Sequence, residues 1–156
     1  MNGMCHTVRN ISSVPYKILD APGLQDDFYL NILDWTKKNQ VVVALSNNIY
    51  TWCPINSKAN RMFTSSSEES IASLKSDSSG NMLAVGGSNG KIRIFDLNKE
   101  KEIISWRMQH WRVGSLSWGG DLLASGSRDR SILIRDLREG NDKVAQYIGH
   151  KQEVCG

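Results

Sequence analysis

The chain has 156 residues, of which 40% are hydrophobic and 22% are charged, and its 19 Lys and Arg against 16 Asp and Glu give a net charge of +3. The charges are scattered along the chain, which argues against the clustered Lys and Arg of a nucleic-acid interface. No apolar run approaches the roughly 18 residues of a membrane span, and the N-terminus lacks the apolar core of a signal peptide. We therefore expect an intracellular protein that binds neither nucleic acid nor membrane.

The cysteines and histidines predict no disulfide, metal site or cofactor. Cys5, Cys53 and Cys155 form no CxxC pair and leave an odd thiol, which argues for a reducing compartment. The three histidines lie far apart, and none has a thiolate or carboxylate at ligand spacing.

The chain begins with a polar, irregular stretch, and residues 1–14 are interpreted as a flexible lead-in. The next segment, residues 15–31, contains Pro15, Pro22 and Gly23. These residues prevent a helix and favour an extended segment with a turn.

Short apolar runs separated by turn-forming residues fill the rest of the chain. Each run is of strand length, and Gly, Asn, Asp and Ser separate the runs, which predicts strands joined by turns. The runs fall into groups that predict three four-stranded units and the start of a fourth, at about 30–65, 71–107, 114–148 and 149–156.

The groups share a repeated sequence motif. Leu83-Ala84-Val85-Gly86 and the residues up to Leu97 match Leu123-Ala124-Ser125-Gly126 and the residues up to Leu137 at a constant offset of 40. A looser copy occupies residues 41–52. A period of about 40 to 45 residues with short strands in each unit is typical of a propeller blade. The sequence therefore predicts an all-β fold, a WD-repeat β-propeller.

Several residues that resemble functional groups are better explained by the repeat. Asp96 and Asp136 recur at the repeat period, so they are predicted to tie turns and not to act as catalytic acids. His150 follows Gly149 at the start of a repeat, which predicts a packing role with a buried hydrogen bond. Trp35 and Trp118 are predicted to lie in the core.

A polar turn, Arg128-Asp129-Arg130, separates two strands of the third unit. Its default interpretation is a solvated turn or an ion pair within the blade.

Two groups of residues remain as candidates for binding. Trp106, Arg107 and Trp111 could line a peptide groove between blades, because aromatic residues beside Arg are frequent at interaction hot spots. Core packing remains the alternative for the tryptophans.

The second candidate group is acidic. Asp20, Asp26 and Asp27 lie in the irregular segment before the first unit, where the repeat does not explain them. Carboxylates on a rim suit capture of a basic peptide residue, although aspartates are also common in turns.

Five stretches together resemble the Fizzy and Fizzy-related proteins, the WD-repeat activators of the anaphase-promoting complex. They are Tyr16-Lys-Ile-Leu-Asp-Ala-Pro-Gly-Leu-Gln-Asp-Asp-Phe-Tyr-Leu-Asn31, Leu33-Asp-Trp35, Arg112-Val-Gly-Ser-Leu-Ser-Trp118, Ser125-Gly-Ser-Arg-Asp-Arg130 and Gln152-Glu-Val-Cys-Gly156. The Gln25-Asp-Asp-Phe28 and Arg128-Asp-Arg130 stretches are closer to the Fizzy-related branch.

The resemblance implies a substrate adaptor of a ubiquitin ligase, present in the nucleus and cytoplasm, with a seven-bladed propeller that binds short degrons. Its partners would be subunits of the anaphase-promoting complex and degron-containing substrates. Asp20 would bind the arginine of a destruction box in a groove between the first and last blades, and Asp27 would lie near the KEN-box site. Two departures bear on these sites: Gly23 replaces an acidic residue of the family, and Met108-Gln109 replace a Gly-His pair.

No nucleophile, general base or cofactor motif supports an enzyme, so catalysis is expected to belong to partners. About three of the expected seven blades fit in the sequence, and an open arc would leave strand edges and apolar faces in water. We therefore expect this sequence to be a fragment of a longer product. A general WD-repeat scaffold outside the ubiquitin system is the alternative function.

Overall fold

The computed structural model describes residues 11–107, 109–138 and 143–156. Most of the predicted flexible lead-in, residues 1–10, lies outside the described residues, as does Met108. Within the described residues the chain forms twelve strands and no helix, so none of these residues belongs to a helix that could cross a membrane. The predicted all-β class is confirmed.

The strands form three four-stranded antiparallel sheets, each built from consecutive strands in chain order. Blade 1 contains β1 Leu33–Trp35, β2 Val41–Leu45, β3 Asn48–Cys53 and β4 Lys58–Thr64. Blade 2 contains β5 Ile71–Ser76, β6 Met82–Gly87, β7 Lys91–Asp96 and β8 Lys101–Arg107. Blade 3 contains β9 Val113–Gly119, β10 Leu122–Ser127, β11 Ser131–Asp136 and β12 Lys143–Ile148.

The strand register reproduces the sequence repeat. Ala84 of β6 pairs with Ile94 of β7, and Ala124 of β10 pairs with Ile134 of β11. Both pairs are separated by the 40-residue offset seen in the sequence. Because a one-residue slip would turn every side chain to the opposite face of a sheet, the shared register gives the two blades the same packing faces.

The first strands of the three blades lie side by side and hold the blades together. Asn31, just before β1, donates its backbone N–H to the carbonyl of Ala72 in β5 at 3.0 Å. The Asn31 side-chain amide donates to the carbonyl of Gly114 in β9 at 2.6 Å. Trp118 of β9 adds a bond from its indole N–H to the carbonyl of Lys75 at 2.9 Å. These contacts place the three sheets next to each other, with the first strand of each blade on the shared inner side.

The core lies between the blades rather than within any one of them. One cluster joins blades 1 and 2, and its buried members are Ile32, Val42, Ala44, Ile49, Ile71, Leu74, Leu83, Val85, Phe95 and Leu97. A second cluster joins blades 2 and 3, and its buried members are Ala84, Ile92, Ile94, Trp106, Val113 and Leu123. Each blade therefore depends on its neighbours to bury its apolar faces, as in other repeat proteins.

Both predicted turn aspartates accept hydrogen bonds from the residues that follow them, which confirms their structural role. Asp96 accepts from the backbone N–H groups of Asn98 and Lys99 at 2.9 and 3.1 Å. Asp136 accepts from the side chain of Arg138 at 2.6 Å and from its backbone N–H at 2.9 Å. The hydrogen bonds from Arg138 lower the pKa of Asp136 to about 2.

Two predictions about packing were wrong. Trp35 is 56% exposed, because it lies at the end of β1, the short edge strand of blade 1, and its indole N–H donates to the amide oxygen of Asn39. His150 is also exposed, as are all residues from 149 to 152.

The packing role predicted for His150 belongs instead to the equivalent residue of the preceding repeat. Gln109 is buried and donates its side-chain amide to the carbonyl of Ser125 at 3.3 Å. Trp118 is half-buried and packs against the second cluster.

Candidate functional site

The segment before β1 lies on the surface, and its acidic residues are exposed. Residues 11–20 and 22–29 are exposed, including Asp20, Asp26 and Asp27. A turn at residues 21–24, with a bond from the Leu24 N–H to the Ala21 carbonyl at 3.2 Å, follows Asp20 directly. Gly23 adopts a φ of +78° in this turn, a left-handed conformation that glycine enters at low cost.

Asp27 is held in a defined orientation by two donors. One carboxylate oxygen accepts the backbone N–H of Tyr29 at 2.9 Å, and the other accepts Nη1 of Arg112 at 3.1 Å. The Tyr29 bond and the Arg112 charge lower the pKa of Asp27. The side chain remains 38% exposed, so a ligand can still reach it.

Arg112 is the centre of this cluster. Its Nε and Nη2 donate to the two carboxylate oxygens of Glu153 at 2.6 and 2.9 Å. The guanidinium also lies over the ring of Tyr29, 5.1 Å from its centroid. Hydrogen bonds from Arg112 to Glu153 raise the pKa of the arginine. One side chain thus joins the segment before β1, the loop before β9 and the segment after β12.

A cavity of about 260 Å³ opens beside Asp27 and Arg112. Its walls come from three parts of the chain: the segment before β1, the ends of the inner strands of blade 2, and the loops of blade 3. They include Gln25, Leu30, Ser70, Ser88, Trp111 and Arg128. The cavity therefore offers a carboxylate, two guanidinium groups and an aromatic ring to one ligand.

The structure does not bring the predicted groove residues together. Trp106 is only 7% exposed and packs in the core between blades 2 and 3, with the guanidinium of Arg135 over its ring at 4.8 Å. Its predicted place in an open groove is therefore wrong. Arg107 is exposed on β8, and Trp111 is 56% exposed on the following loop beneath Arg128. Successive side chains of a strand point to opposite faces of the sheet, so Trp106 is buried while its neighbour Arg107 is exposed.

Sequence reasoning missed the contribution of Arg112 and Glu153 to this cluster. The sequence contained a clue to this pairing. Arg112 directly precedes Val113, and Glu153 directly precedes Val154, at equivalent positions of consecutive repeats. Opposite charges at equivalent positions of neighbouring blades can pair across the blade interface. Asp20 takes no part in this cluster and remains a separate candidate.

The comparisons with known proteins agree with this architecture. A model of the anaphase-promoting complex subunit 4 WD40 domain matches residues 32–121. The chain is 44% identical to "Protein FIZZY-RELATED 2" of Arabidopsis thaliana over 155 residues, 99% of its length. The chain belongs to the WD40 family. The resemblance to Fizzy-related proteins, predicted from the sequence, is confirmed as a similarity over nearly the whole chain.

Two further matches extend the comparison of this WD40 chain. It is 37% identical over 150 residues to the "Anaphase-promoting complex subunit cdh1" of Dictyostelium discoideum. It also superimposes on a chain in a crystal structure of a mitotic checkpoint complex, with a TM-score of 0.90 and 35% identity over 99% of its length. It spans 32% of the Arabidopsis relative, 20% of the Dictyostelium relative and 48% of the chain in the crystal structure.

Proposed function

We propose that this WD40 chain belongs to a substrate-recognition adaptor and activator of the anaphase-promoting complex ubiquitin ligase. The observation that carries the proposal is the similarity over nearly the whole chain to Fizzy-related proteins and to a protein named as a subunit of that complex. The adaptor contributes binding and leaves catalysis to its partners. It acts in the nucleus and cytoplasm.

The exposed acidic segment before β1 supplies the degron contacts in this proposal. Asp20 accepts a hydrogen bond from the arginine of a destruction box. Its exposure and the turn that follows it favour such a role, since a carboxylate paired with guanidinium forms a strong charge-assisted hydrogen bond.

Asp27 contributes to binding of the KEN-type degron. The carboxylate is already oriented by Tyr29 and Arg112. Less conformational entropy of the Asp27 side chain is therefore lost when a ligand binds. The adjacent cavity of about 260 Å³ has room for a side chain of the bound peptide.

The test is fluorescence anisotropy of a labelled destruction-box peptide with the complete protein and its Asp20→Ala variant. Loss of a charged hydrogen bond should weaken binding by about 1 to 3 kcal/mol. Asp26→Ala is the matched control, because it removes an exposed carboxylate from the same segment. An unchanged dissociation constant for Asp20→Ala would remove that residue from the site.

The second test addresses the ligase itself. Addition of the complete protein to the purified anaphase-promoting complex should increase ubiquitination of a destruction-box substrate. A protein that binds the complex but has no effect on ubiquitination would instead favour the scaffold function.

A further inference from the structure

The turn between β10 and β11 departs from the repeat in its side chains but not in its backbone. Arg128-Asp129-Arg130 occupies the place that Ser88-Asn89-Gly90 fills in blade 2, 40 residues earlier. Asp129 accepts the Ser131 N–H at 2.9 Å, as Asn89 accepts the Lys91 N–H at 3.0 Å. The hairpin is the same in both blades, so it does not itself require the two arginines.

Arg130 adopts an unfavourable backbone conformation for its residue type. Its φ is +72°, while Gly90 at the equivalent position has a φ of +81°. Glycine enters this left-handed region freely, whereas a residue with a Cβ is strained there. In blade 2 glycine is also needed for space, since a Cβ on Gly90 would collide with the Gln109 carbonyl. Backbone strain often clusters at functional sites, and in this chain Asn39, Ser46, Ser57 and Glu100 also have a positive φ.

The two arginines border an open basic cavity of about 530 Å³. Its lining residues are Tyr29, Arg112, Arg128, Arg130, Lys151, Gln152 and Glu153. Glu153 and Asp27 already bind Arg112. Within the described part of the chain no salt bridge involves Arg128, Arg130 or Lys151. The cavity, which we call the basic pocket, therefore has three positive charges outside the salt bridges of the described residues, and of these Arg128 also helps to lower the pKa of Asp27.

The basic pocket is held on a rigid base. The Arg128 N–H donates to the Arg112 carbonyl at 3.0 Å, and the Ser127 hydroxyl donates to the Trp111 carbonyl at 3.2 Å. Asp129 accepts the backbone N–H of His110 at 3.2 Å. The Arg128 guanidinium lies 5.3 Å from the centroid of the Trp111 ring. A fixed loop lowers the entropic cost of binding a ligand.

We propose that the basic pocket binds the carboxylate side chains of an acidic peptide segment in a partner protein. Arginine donates paired N–H groups to carboxylates, and the nearby rings of Tyr29 and Trp111 supply apolar contact to the peptide. A cavity limited to one loop cluster suits a short peptide, whereas nucleic acid would require a basic stripe along its backbone. The pocket does not include Asp20, so this binding is independent of the proposed destruction-box contact.

The experiment is fluorescence anisotropy of the full chain with a short labelled Glu-rich peptide, at low and high salt. The test variant is Arg128→Ser with Arg130→Gly, which introduces the residues of the blade 2 turn. The control is Lys58→Ser with Arg61→Ser, which removes the same charge from exposed positions of β4. Circular dichroism and thermal unfolding report the fold of each variant.

We expect the test variant to lose about tenfold or more in affinity and the control to lose less than about twofold. Thermal stability of the test variant should be equal or higher, because Arg130→Gly relieves the left-handed strain. Similar losses in both variants would reduce the binding to net charge and overturn the proposal. A test variant that unfolds at lower temperature would assign the arginines to structure and also overturn it.

Competition distinguishes the ligand class. An unlabelled Glu-rich peptide should displace the probe, while a Gln-rich peptide of equal length should not. Displacement by an RNA oligonucleotide at lower concentration than the acidic peptide would overturn the assignment to a peptide. Asp20→Ala should not change the binding of the Glu-rich peptide. The destruction-box proposal and the basic-pocket proposal can therefore be rejected independently of each other.

Discussion

Arg93 and Glu69 form a bidentate ion pair at the junction of blades 1 and 2. Nη1 and Nη2 of the arginine donate to the two carboxylate oxygens at 2.7 and 2.6 Å, and both residues are only 5% exposed. Ser65 donates a third hydrogen bond to Glu69 at 2.9 Å. The pair connects strand β7 with the loop before β5, and the full set of bonds compensates for burying two charges.

Removal of the carboxylate should destabilise the blade junction. Glu69→Ala leaves the Arg93 guanidinium buried without its main partner, and the expected loss is about 3 kcal/mol in the free energy of unfolding. Urea unfolding followed by tryptophan fluorescence measures this loss. Glu68→Ala is the control, since Glu68 is an exposed neighbour. Equal stability of the two variants would contradict a structural role for the pair.

The same pair predicts an acid-sensitive stability. Burial tends to raise the pKa of Glu69, but hydrogen bonds from Arg93 and Ser65 outweigh it, and the pKa lies below its usual value of 4.5. A carboxylate with a lowered folded pKa stabilises the fold fully above the unfolded pKa. That contribution is lost as the pH falls through the lower folded value. The difference in unfolding free energy between wild type and Glu69→Ala should therefore shrink on acidification from about pH 7 to about pH 3. A constant difference across this range would contradict the prediction.

Gly86 should not tolerate a side chain. A Cβ at this position would collide with the Ser73 hydroxyl and lie 2.6 Å from the Val113 carbonyl oxygen, where β6 meets the inner strands. We expect Gly86→Ala to cost about 1 to 3 kcal/mol by overpacking. Gly119→Ala is the matched control, because a Cβ there would meet no atom within 4 Å. A melting temperature of Gly86→Ala equal to that of the control would contradict this packing.

Arg112 should hold the acidic segment in place. Arg112→Gln removes the charged bonds to Glu153 and Asp27, and leaves Glu153, whose side chain is 9% exposed, without its partner. The expected cost is about 1 to 3 kcal/mol. Limited proteolysis should also cut residues 15–31 faster, since the segment loses a contact. Arg107→Gln, on an exposed position of β8, should change neither measurement.

The repeat made much of the fold predictable. Alternating Ile92 and Ile94, and Ile132 and Ile134, marked equivalent strands, and turn residues at fixed offsets marked their ends. The register follows because only one pairing places both alternating sets on the buried faces. The turn roles of Asp96 and Asp136 followed from the same recurrence.

Individual tryptophans were less predictable than the strands that carry them. Trp35 is exposed and Trp106 is buried, although both were placed from local pattern. Burial in a propeller depends on which blade covers a given face, and the sequence around one residue does not contain that information. Arg135 over Trp106 comes from a neighbouring blade.

The sequence by itself determined the strand order, the period of the blades and the resemblance to Fizzy-related proteins, because these depend on local pattern and on motifs. Only the tertiary structure decided the contacts of Asp27 with Arg112, 85 positions away, and of Arg112 with Glu153, 41 positions away. It also decided that Arg128, Arg130 and Lys151 share one cavity. Loops from separate blades meet only when the sheets pack against each other, and burial of the shared cores drives that packing.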